Sequence, residues 1–158
     1  MFGKPPSDVT IKKRIGYLPE ESYLYPFLNA RETLEYYGKL FKLEHKVRRR
    51  RIDELLDMVG LAGVQHRQVR EHSKGMQRRI GLAQALINDP EFLILDEPTT
   101  GLDPAVRHAL WSRFRALGDG GTTVLLTTHY MDEAERLCDR VVIMAGGRAL
   151  CAGAPSEL

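Results

Sequence analysis

Residues 92–95 are four consecutive apolar residues that run directly into two adjacent carboxylates, Asp96 and Glu97. A fully apolar run of this length is typical of a parallel strand that is buried on both faces. Ligands of open α/β sheets bind at the carboxyl ends of the strands. The two carboxylates therefore follow the predicted strand into the place where a ligand would lie.

The two carboxylates are expected to have different roles, because successive side chains of a strand point to opposite faces. Mg²⁺ prefers hard oxygen ligands and keeps several of its waters, so Asp96 suits a magnesium-bound water. Glu97 is then placed to orient or deprotonate an attacking water. On this segment alone, a solvent-exposed acidic pair that ends a strand is an equally good interpretation.

Strand-like and helix-like segments alternate along the chain, which predicts an α/β architecture. Residues from about 20 to 72 have mainly helical patterns, whereas those from 92 onward alternate between strand and helix. This difference predicts a helical subdomain inserted into an α/β core. The other predicted strands are residues 14–18, a second buried strand at 122–127, and a hairpin of 141–144 with 148–151 across Gly146 and Gly147.

Capping residues mark where the helices begin and end. Asn29 and Glu32 form the pattern of a capping box, and Gly60 is a plausible end for the next helix. Ser73 is a natural N-cap for a helix that runs to about residue 87. Asp103 followed by Pro104 fits an N-cap with proline at the first helical position, and a short helix is expected at 131–138. The predicted apolar stripes are Leu34, Tyr37, Leu40 and Phe41 in the first helix, and Leu110, Trp111, Phe114 and Leu117 in the helix after Asp103.

Charge and apolar content limit the classes of partner. The formal net charge of +2 is too small to indicate nucleic acid as the main partner. A basic run, Lys46 with the arginines at 48–51, is interpreted as the solvated face of an amphipathic helix rather than as a nucleic-acid or membrane patch. The sequence has two cysteines, which fits a reducing cytosolic setting. No apolar run approaches the roughly 20 residues that cross a bilayer, so any work at a membrane is expected to require a partner.

Three segments together resemble the ATP-binding subunits of ABC transporters. Residues 96–104, Asp-Glu-Pro-Thr-Thr-Gly-Leu-Asp-Pro, resemble the joined Walker B motif and D-loop of that family. Residues 72–79 look like the ABC signature motif, and residues 127–135 look like the switch-histidine region. The three motifs occur in the family's order and at its spacing, and the resemblance implies a P-loop NTPase-like nucleotide-binding domain.

The resemblance implies a role for each matching residue, with ATP and Mg²⁺ as cofactors. Glu97 would position the attacking water, and His129 would contact the terminal phosphate. Ser73 and Gly75 open a helix, where free N–H groups attract phosphate; in the family this surface faces the nucleotide of a second ATP-binding subunit. From the residues alone, Ser73 can equally be a plain N-cap and His129 a structural histidine.

The remaining roles that the resemblance implies concern the metal and the dimer. Asp96 would help to hold the magnesium ion. Glu20, in a segment that resembles the Q-loop, would contact the metal or its water, although glutamine is usual there. Asp103 caps its helix and, in the family, also communicates across the dimer.

Departures from the family pattern indicate one of its branches. Lys74, Met76 and His72 replace the usual residues of Leu-Ser-Gly-Gly-Gln. This form of the motif resembles the branch that pairs with ABC-2 type membrane subunits, most of which export drugs, polysaccharides or similar cargo. It implies a peripheral protein on the cytoplasmic face of the membrane, with a membrane subunit and a second ATP-binding subunit as partners. Whether the second subunit is identical to the first stays open.

Nothing in the sequence resembles the phosphate-binding pattern Gly-x-x-x-x-Gly-Lys-Ser/Thr. We therefore expect residues 1–158 to form one partial ATP-binding domain that lacks the N-terminal strands and the Walker A helix. Residues of about 20–87 would form the Q-loop, helical subdomain and signature helix, and those of about 88–158 the rest of the α/β core. The chain alone is expected to be marginally stable and neither to bind ATP tightly nor to hydrolyse it, because phosphoryl transfer depends on positioning the phosphates.

The leading functional hypothesis is an ATPase that powers export through separate membrane subunits. A soluble ABC ATPase of translation or DNA repair is a second interpretation, although such proteins usually carry two of these domains or long coiled coils. A third is a non-catalytic interaction module that lends its signature helix to a complete partner ATPase. The pair Asp96 and Glu97 argues against this third interpretation, because such a module has no chemical need of both carboxylates.

Overall fold

A computed structural model describes residues 2–5 and 7–157 of the chain. Met1, Pro6 and Leu158, which the predicted domain of 1–158 includes, lie outside the described residues. The helices are α1 Val9–Lys12, α2 Ala30–Leu40, α3 His45–Met58, α4 Lys74–Leu86, α5 Pro104–Asp119 and α6 Met131–Leu137, with 3₁₀ turns at Ala62–Val64, Val69–Glu71 and Pro155–Glu157. The strands are β1 Ile15–Leu18, β2 Phe92–Asp96, β3 Thr123–Thr127, β4 Val141–Ala145 and β5 Arg148–Gly153. The predicted α/β architecture is confirmed.

The first three strands form one parallel sheet in the order β1-β2-β3, with β2 in the middle. Ile15 pairs with Phe92, and Phe92 pairs with Thr123, so the three strands run in register. Their carboxyl ends therefore meet at one edge of the sheet. This edge brings together the residues that follow Leu18, the end of β2 and the residues that follow Thr127.

The prediction that β2 and β3 are buried on both faces is wrong for one face of the sheet. Leu93 and Leu95 are fully buried within the core, which also contains apolar residues of α4 and α5. On the other face, Ile94 is half-buried, and Tyr17 and Leu125 are 52% and 50% exposed. The described residues cover that face only in part. Successive side chains of β3 therefore alternate between exposed and partly buried.

β1 approaches the helix α4 at Gly16. A Cβ atom on Gly16 would lie 2.1 Å from the Ala85 carbonyl oxygen and 2.9 Å from Leu93 Cδ1. Only glycine permits this separation, because real Cβ atoms do not approach backbone oxygens so closely. This close packing holds the first half of β1 against the C-terminal end of α4. At the other end of β1, a Cβ on Gly81 of α4 would lie 2.6 Å from Ser22 Oγ and 2.9 Å from Leu18 Cδ1, so α4 also packs closely against the segment 19–22.

The region between the first two strands is largely helical, as predicted. Asn29 accepts a hydrogen bond from the Glu32 amide, and the Glu32 side chain accepts one from the Asn29 amide, which confirms the capping box. Gly60 ends the α3 segment with φ of +67°, as expected for a C-terminal glycine. The predicted stripe of α2 is wrong at Leu40, which is 59% exposed because it lies in the last turn.

The prediction that the basic run is a solvated face is wrong for two of its arginines. The Arg48 side chain is 11% exposed, pairs with Glu35 and donates to the Leu43 carbonyl at 2.7 Å. Arg51 donates to the Leu86 carbonyl at 3.0 Å and pairs with Asp89. The long stems of these arginines reach inward from α3. Arg48 joins α3 to α2 and to the turn that follows α2, whereas Arg51 joins α3 to the end of α4.

The C-terminal part follows its predicted pattern of helix and hairpin. Asp103 caps α5, Pro104 is at its start, and Leu110, Trp111 and Phe114 are buried. Leu117 is only partly buried. β4 and β5 pair antiparallel across Gly146 and Gly147, whose φ angles are +55° and +73°. In the part of the chain that the structure describes, no helix is long and apolar enough to cross a membrane.

Candidate functional site

Asp96 and Glu97 lie at the carboxyl end of the middle strand, where they are tied to the end of β3. The Thr127 hydroxyl donates to Asp96 Oδ1 at 2.5 Å. The Glu97 amide donates to the Thr127 carbonyl at 3.1 Å. Because Asp96 is the last residue of β2, these bonds keep the two carboxylates at the edge of the sheet. The site is therefore built on the ends of two paired strands.

Glu97 and His129 form the closest pair of functional groups in the site. His129 Nδ1 lies 2.7 Å from Glu97 Oε2, which also accepts a hydrogen bond from the Thr100 hydroxyl at 2.8 Å. The Glu97 side chain is 21% exposed and the His129 side chain is 57% exposed. The backbone of Glu97 is left-handed, with φ of +47°. Such a conformation is unfavourable for a residue with a Cβ and persists only where the surroundings hold it.

Ser73 and Asp103 begin two neighbouring helices at exposed positions. Ser73 Oγ accepts from the Met76 amide at 3.2 Å, which confirms the predicted N-cap of α4. Asp103 Oδ1 accepts from the Val106 amide at 3.0 Å. The two helix starts lie together, because a Cβ on Gly75 would be 3.4 Å from Leu102 Cδ2. Within residues 2–5 and 7–157, the hydrogen bonds of Ser73 and Asp103 stay within their own helices.

Glu20 follows β1 and is exposed. Its carboxylate is therefore accessible to a metal ion from solvent. Its carbonyl accepts a hydrogen bond from Arg78 Nη1 at 2.8 Å. The same guanidinium donates to the carbonyls of Asp96 and Glu97. The structure thus brings Asp96, Glu97 and His129 together directly, and it links Glu20 to them through Arg78.

The protein-family model described as ABC transporter matches residues 3–100. The chain belongs to the ABC transporter ATP-binding family. An ABC transporter ATP-binding protein of Synechocystis sp. is 45% identical over the whole chain, which covers 45% of that relative. The Nod factor export ATP-binding protein I of Cupriavidus pinatubonensis is 46% identical over 93% of the chain and 45% of the relative. The chain spans about half the length of the curated relatives it matches.

Solved structures of ABC ATP-binding subunits share this fold. An ATP-binding subunit of an ABC transporter has a TM-score of 0.82 and 32% identity, over 94% of the chain and 62% of that subunit. A dimeric ATP-binding cassette in a post-hydrolysis state, bound to ADP and Pi, has a TM-score of 0.81 and 26% identity. That match covers 90% of the chain and 63% of the cassette. The mixed α/β fold is therefore that of an ABC ATP-binding domain.

Arg78, on α4 of this ABC domain, is a residue beside the candidate site that the sequence did not single out. It is 7% exposed, and all three of its nitrogens donate to main-chain oxygens. Burial lowers the pKa of Arg78 from its ordinary value, and Asp96, Glu20 and Glu97 oppose that shift. Its acceptors are the carbonyls of Pro98 at 3.0 Å, Glu20 at 2.8 Å, Asp96 at 2.6 Å, Glu97 at 2.9 Å and Pro19.

Glu133 is a second residue that the sequence did not reveal. It is fully buried on α6, and its Oε1 accepts from the Thr99 hydroxyl at 2.8 Å and from Trp111 Nε1 at 2.7 Å. Its Oε2 has no hydrogen-bond partner among the described residues. Glu133 therefore joins the segment after Glu97, the helix α5 and the helix that follows His129. Nothing in the sequence around Thr99 or Trp111 indicates that the two side chains donate to the same carboxylate.

Tyr130 supports His129 from the side of α5. The rings of His129 and Tyr130 have centroids 4.1 Å apart, and the Arg107 guanidinium lies 4.1 Å from the Tyr130 ring centroid. This stack is a cation–π contact that extends the packing of the histidine. The position of His129 is thus set by Glu97 on one side and by Tyr130 on the other.

The residues present fit a magnesium ion that is held mainly by its waters and a nucleotide. Among residues 2–5 and 7–157, no group of three or more His, Cys, Asp or Glu side chains is arranged to hold a metal ion. Asp96 is partly exposed and offers hard carboxylate oxygens at the edge of the sheet. Mg²⁺ usually takes only one or two protein carboxylates, with waters and phosphate oxygens as its other ligands. The donor set is compatible with that mode of binding.

Proposed function

We propose that the chain supplies the signature and switch-histidine parts of the ATP sites in an export ATPase. The pair of Glu97 Oε2 and His129 Nδ1 at 2.7 Å, beside Asp96 at the end of the middle strand, is the observation that supports this most. Relatives that are named for Nod factor export support the direction of transport. The reaction is hydrolysis of ATP to ADP and phosphate, coupled to movement of a substrate through separate membrane subunits.

Glu97 would act on the attacking water. Its Oε2 is occupied by Thr100 and His129, whereas Oε1 has no hydrogen bond from the described residues. Oε1 is therefore available to accept a hydrogen bond or a proton from water, as a positioned carboxylate does in general base catalysis. His129 is 57% exposed and would contact the terminal phosphate. Its contact with Glu97 would keep the base and the phosphate ligand in one arrangement.

Asp96 and Glu20 would hold the magnesium ion that accompanies ATP. When bound there, Mg²⁺ would supply positive charge that neutralises the charge developing on the phosphate oxygens. The Thr127 hydroxyl fixes the Asp96 carboxylate from the side of β3. Arg78 fixes the backbone of Glu20, so the exposed Glu20 side chain starts from the same edge of the sheet as Asp96.

The start of α4 would complete the site of a second ATP-binding subunit. The first N–H groups of a helix attract phosphate, and α4 has 13 residues and begins at the exposed Ser73. Ser73 and Gly75 would contact the partner's nucleotide, and Asp103 would communicate across the dimer. The solved cassette with ADP and Pi, which is itself dimeric, supports this arrangement.

The membrane subunit would dock on an aromatic surface next to Glu20. Tyr23, Tyr25, Phe27 and Tyr36 are 81%, 43%, 63% and 42% exposed, and Tyr25 lies 5.8 Å from both Phe27 and Tyr36 between ring centroids. Contiguous exposed aromatic groups mark protein–protein interfaces. We assign this surface to an ABC-2 type membrane subunit, which would hold the protein at the cytoplasmic face of the membrane. In this arrangement residues of about 20–87 form the Q-loop, the helical subdomain that faces the membrane partner and the signature helix, and those of about 88–158 belong to the α/β core.

The exposed start of α4, where Ser73 caps a 13-residue helix, supports a second candidate. The chain could act as an interaction module whose Ser73 and Gly75 complete the site of a partner ATPase. In that case only the partner would bind and hydrolyse ATP. The two candidates differ in whether Glu97 contributes to turnover.

The proposal can be tested with a graft, a hybrid protein in which this chain replaces the region of the Synechocystis relative that it matches over 160 residues. We expect the purified graft to hydrolyse ATP in a magnesium-dependent manner, because the rest of the relative would supply the phosphate-binding loop. The purified chain alone is expected to show neither turnover nor saturable ATP binding at low micromolar concentration. A graft that is folded but turns over ATP only when mixed with the intact relative would favour the interaction module.

A further inference from the structure

Arg78 connects two segments of the main chain that do not otherwise share a helix or a hairpin. Its Nη1 donates to the carbonyls of Pro19 and Glu20, which follow β1. Its Nη2 donates to the carbonyls of Asp96 and Glu97 at 2.6 and 2.9 Å, at the end of β2. One side chain on the signature helix therefore holds both strand ends.

These carbonyls need a donor from outside the sheet. They lie beyond the last paired residues, Leu18 and Leu95, of the β1–β2 ladder. The prolines at 19 and 98 have no N–H groups, so the backbone there offers few donors of its own. Buried carbonyls are costly without partners. The planar guanidinium has five N–H donors in a fixed fork, which suits several carbonyls that converge from two directions.

The same guanidinium holds the strained residue of the site. Glu97 has φ of +47°, and such a backbone persists only where its neighbours fix it. Its amide is fixed by Thr127 at 3.1 Å and its carboxylate by Thr100 at 2.8 Å. Its carbonyl accepts from Arg78 Nη2 at 2.9 Å and, at the longer distance of 3.3 Å, from the Thr100 amide. Loss of Arg78 would leave the Glu97 carbonyl with only the bond from Thr100, which lies in the same turn, and would remove its link to the segment after β1.

We propose that Arg78 is a positioning residue that holds Glu97 in its left-handed conformation and couples it to the segment 19–22. A displacement of this segment, which adjoins the exposed aromatic surface, would then displace the Glu97 carbonyl through one rigid group. The chemical importance of this coupling rests on the proposed role of Glu97. The coupling itself is a property of the folded chain and can be measured without nucleotide.

The first test compares Arg78→Lys with Arg48→Lys in the purified chain. Arg48 is the matched control, because it is a nearly buried arginine that donates to a backbone carbonyl away from the site. Lysine keeps the charge but cannot reach carbonyls on two segments. In Arg78→Lys, we expect the rates of amide hydrogen exchange to rise roughly tenfold in residues 19–24 and also in residues 97–102. A rise of this size corresponds to the loss of one or two hydrogen bonds. The Arg48→Lys chain should leave both segments unchanged.

A spectroscopic signal reports the position of Glu97 separately from stability. The ¹⁵N chemical shift of His129 Nδ1 depends on its contact with Glu97 Oε2 at 2.7 Å. At constant pH, Arg78→Lys should move this shift toward that of a chain with Glu97→Ala, whereas Arg48→Lys should not. Faster exchange in only one of the two segments, or an unchanged His129 shift, would overturn the proposal.

A double-mutant cycle with Glu97→Gly tests whether Arg78 opposes the backbone strain. Glycine adopts positive φ without strain, and its effect on the unfolded chain cancels in the cycle. Arg78→Lys should therefore reduce the folding equilibrium constant less in the Glu97→Gly background than in the original chain. We expect the two reduction factors to differ by about threefold to tenfold. If Arg78→Lys alone unfolds the chain, Glu97→Gly should restore folding. Equal factors, or unfolding in both backgrounds, would contradict the proposal.

Failure of the coupling through Arg78 and failure of the proposed ATPase function give different results. A graft that does not hydrolyse ATP would remove the role of Glu97, whereas coupled exchange in the chain would still establish the link through Arg78. An active graft whose turnover is equally sensitive to Arg48→Lys and Arg78→Lys would retain the function and reject the coupling.

Discussion

Replacing Glu97 with Gln in the graft should lower ATP turnover by about 10²- to 10⁴-fold, the range for loss of a general acid or base. Glutamine has nearly the same shape and can still accept from the Thr100 hydroxyl at 2.8 Å. It cannot accept a proton from water. Because the left-handed backbone of residue 97 stays the same, the loss should be in the chemical step and not in nucleotide binding.

Single-turnover hydrolysis and equilibrium binding of ATP separate these two effects for Glu97→Gln. Glu135→Gln is the matched control, since Glu135 is an exposed glutamate on α6 that makes no hydrogen bond or ion pair with Asp96, Glu97 or His129. We expect the control to keep normal turnover. If Glu97→Gln hydrolysed ATP at the normal rate, Glu97 would not act on water. A parallel loss of ATP binding would mean that Glu97 acts in holding the nucleotide instead.

Replacing Glu133 with Ala should lower the free energy of unfolding by roughly 2–6 kcal/mol, as two buried donors lose their acceptor at about 1–3 kcal/mol each. Those donors are the Thr99 hydroxyl and Trp111 Nε1, which both donate to Glu133 Oε1. Thr99 and Glu133 are fully buried, so water cannot replace the acceptor without opening the core. The same change should loosen the segment that follows Glu97.

Denaturant unfolding of the purified chain measures this loss, with Glu133→Gln as the comparison. Glutamine keeps one acceptor oxygen for both donors, and its neutral amide costs less to bury than a carboxylate. We therefore expect Glu133→Gln to be clearly more stable than Glu133→Ala. Equal stability of the two variants would show that the shared acceptor contributes little, and that the cost arises from lost packing.

The local features of the fold could be predicted from sequence because each depends on neighbours along the chain. The caps at Asn29, Ser73 and Asp103 form from residues at most three positions apart. The glycine turn of the β4–β5 hairpin is equally local. The apolar run before Asp96 predicted a strand, and the structure places that strand in the middle of the sheet. The edge that gathers Asp96, Glu97 and His129 follows from the parallel order of three strands.

Contacts between distant segments could not be predicted from the sequence. Arg78 appears in the sequence as one of two adjacent arginines on a helix, yet its acceptors lie 18 to 59 residues away and are backbone atoms of any residue type. Glu133 resembles its exposed acidic neighbours until α5 packs against α6. The half-exposure of Leu125 was missed because an apolar run predicts burial without telling which face is covered.

The structure of the graft with Glu97→Gln and ATP would show directly whether these residues form a shared ATP site. We expect a dimer in which His129 contacts the terminal phosphate and the glutamine at position 97 contacts the attacking water. Ser73 and Gly75 of each subunit should lie against the nucleotide of the partner. A nucleotide bound away from the carboxyl ends of β2 and β3, or sites that are complete within one subunit, would contradict it.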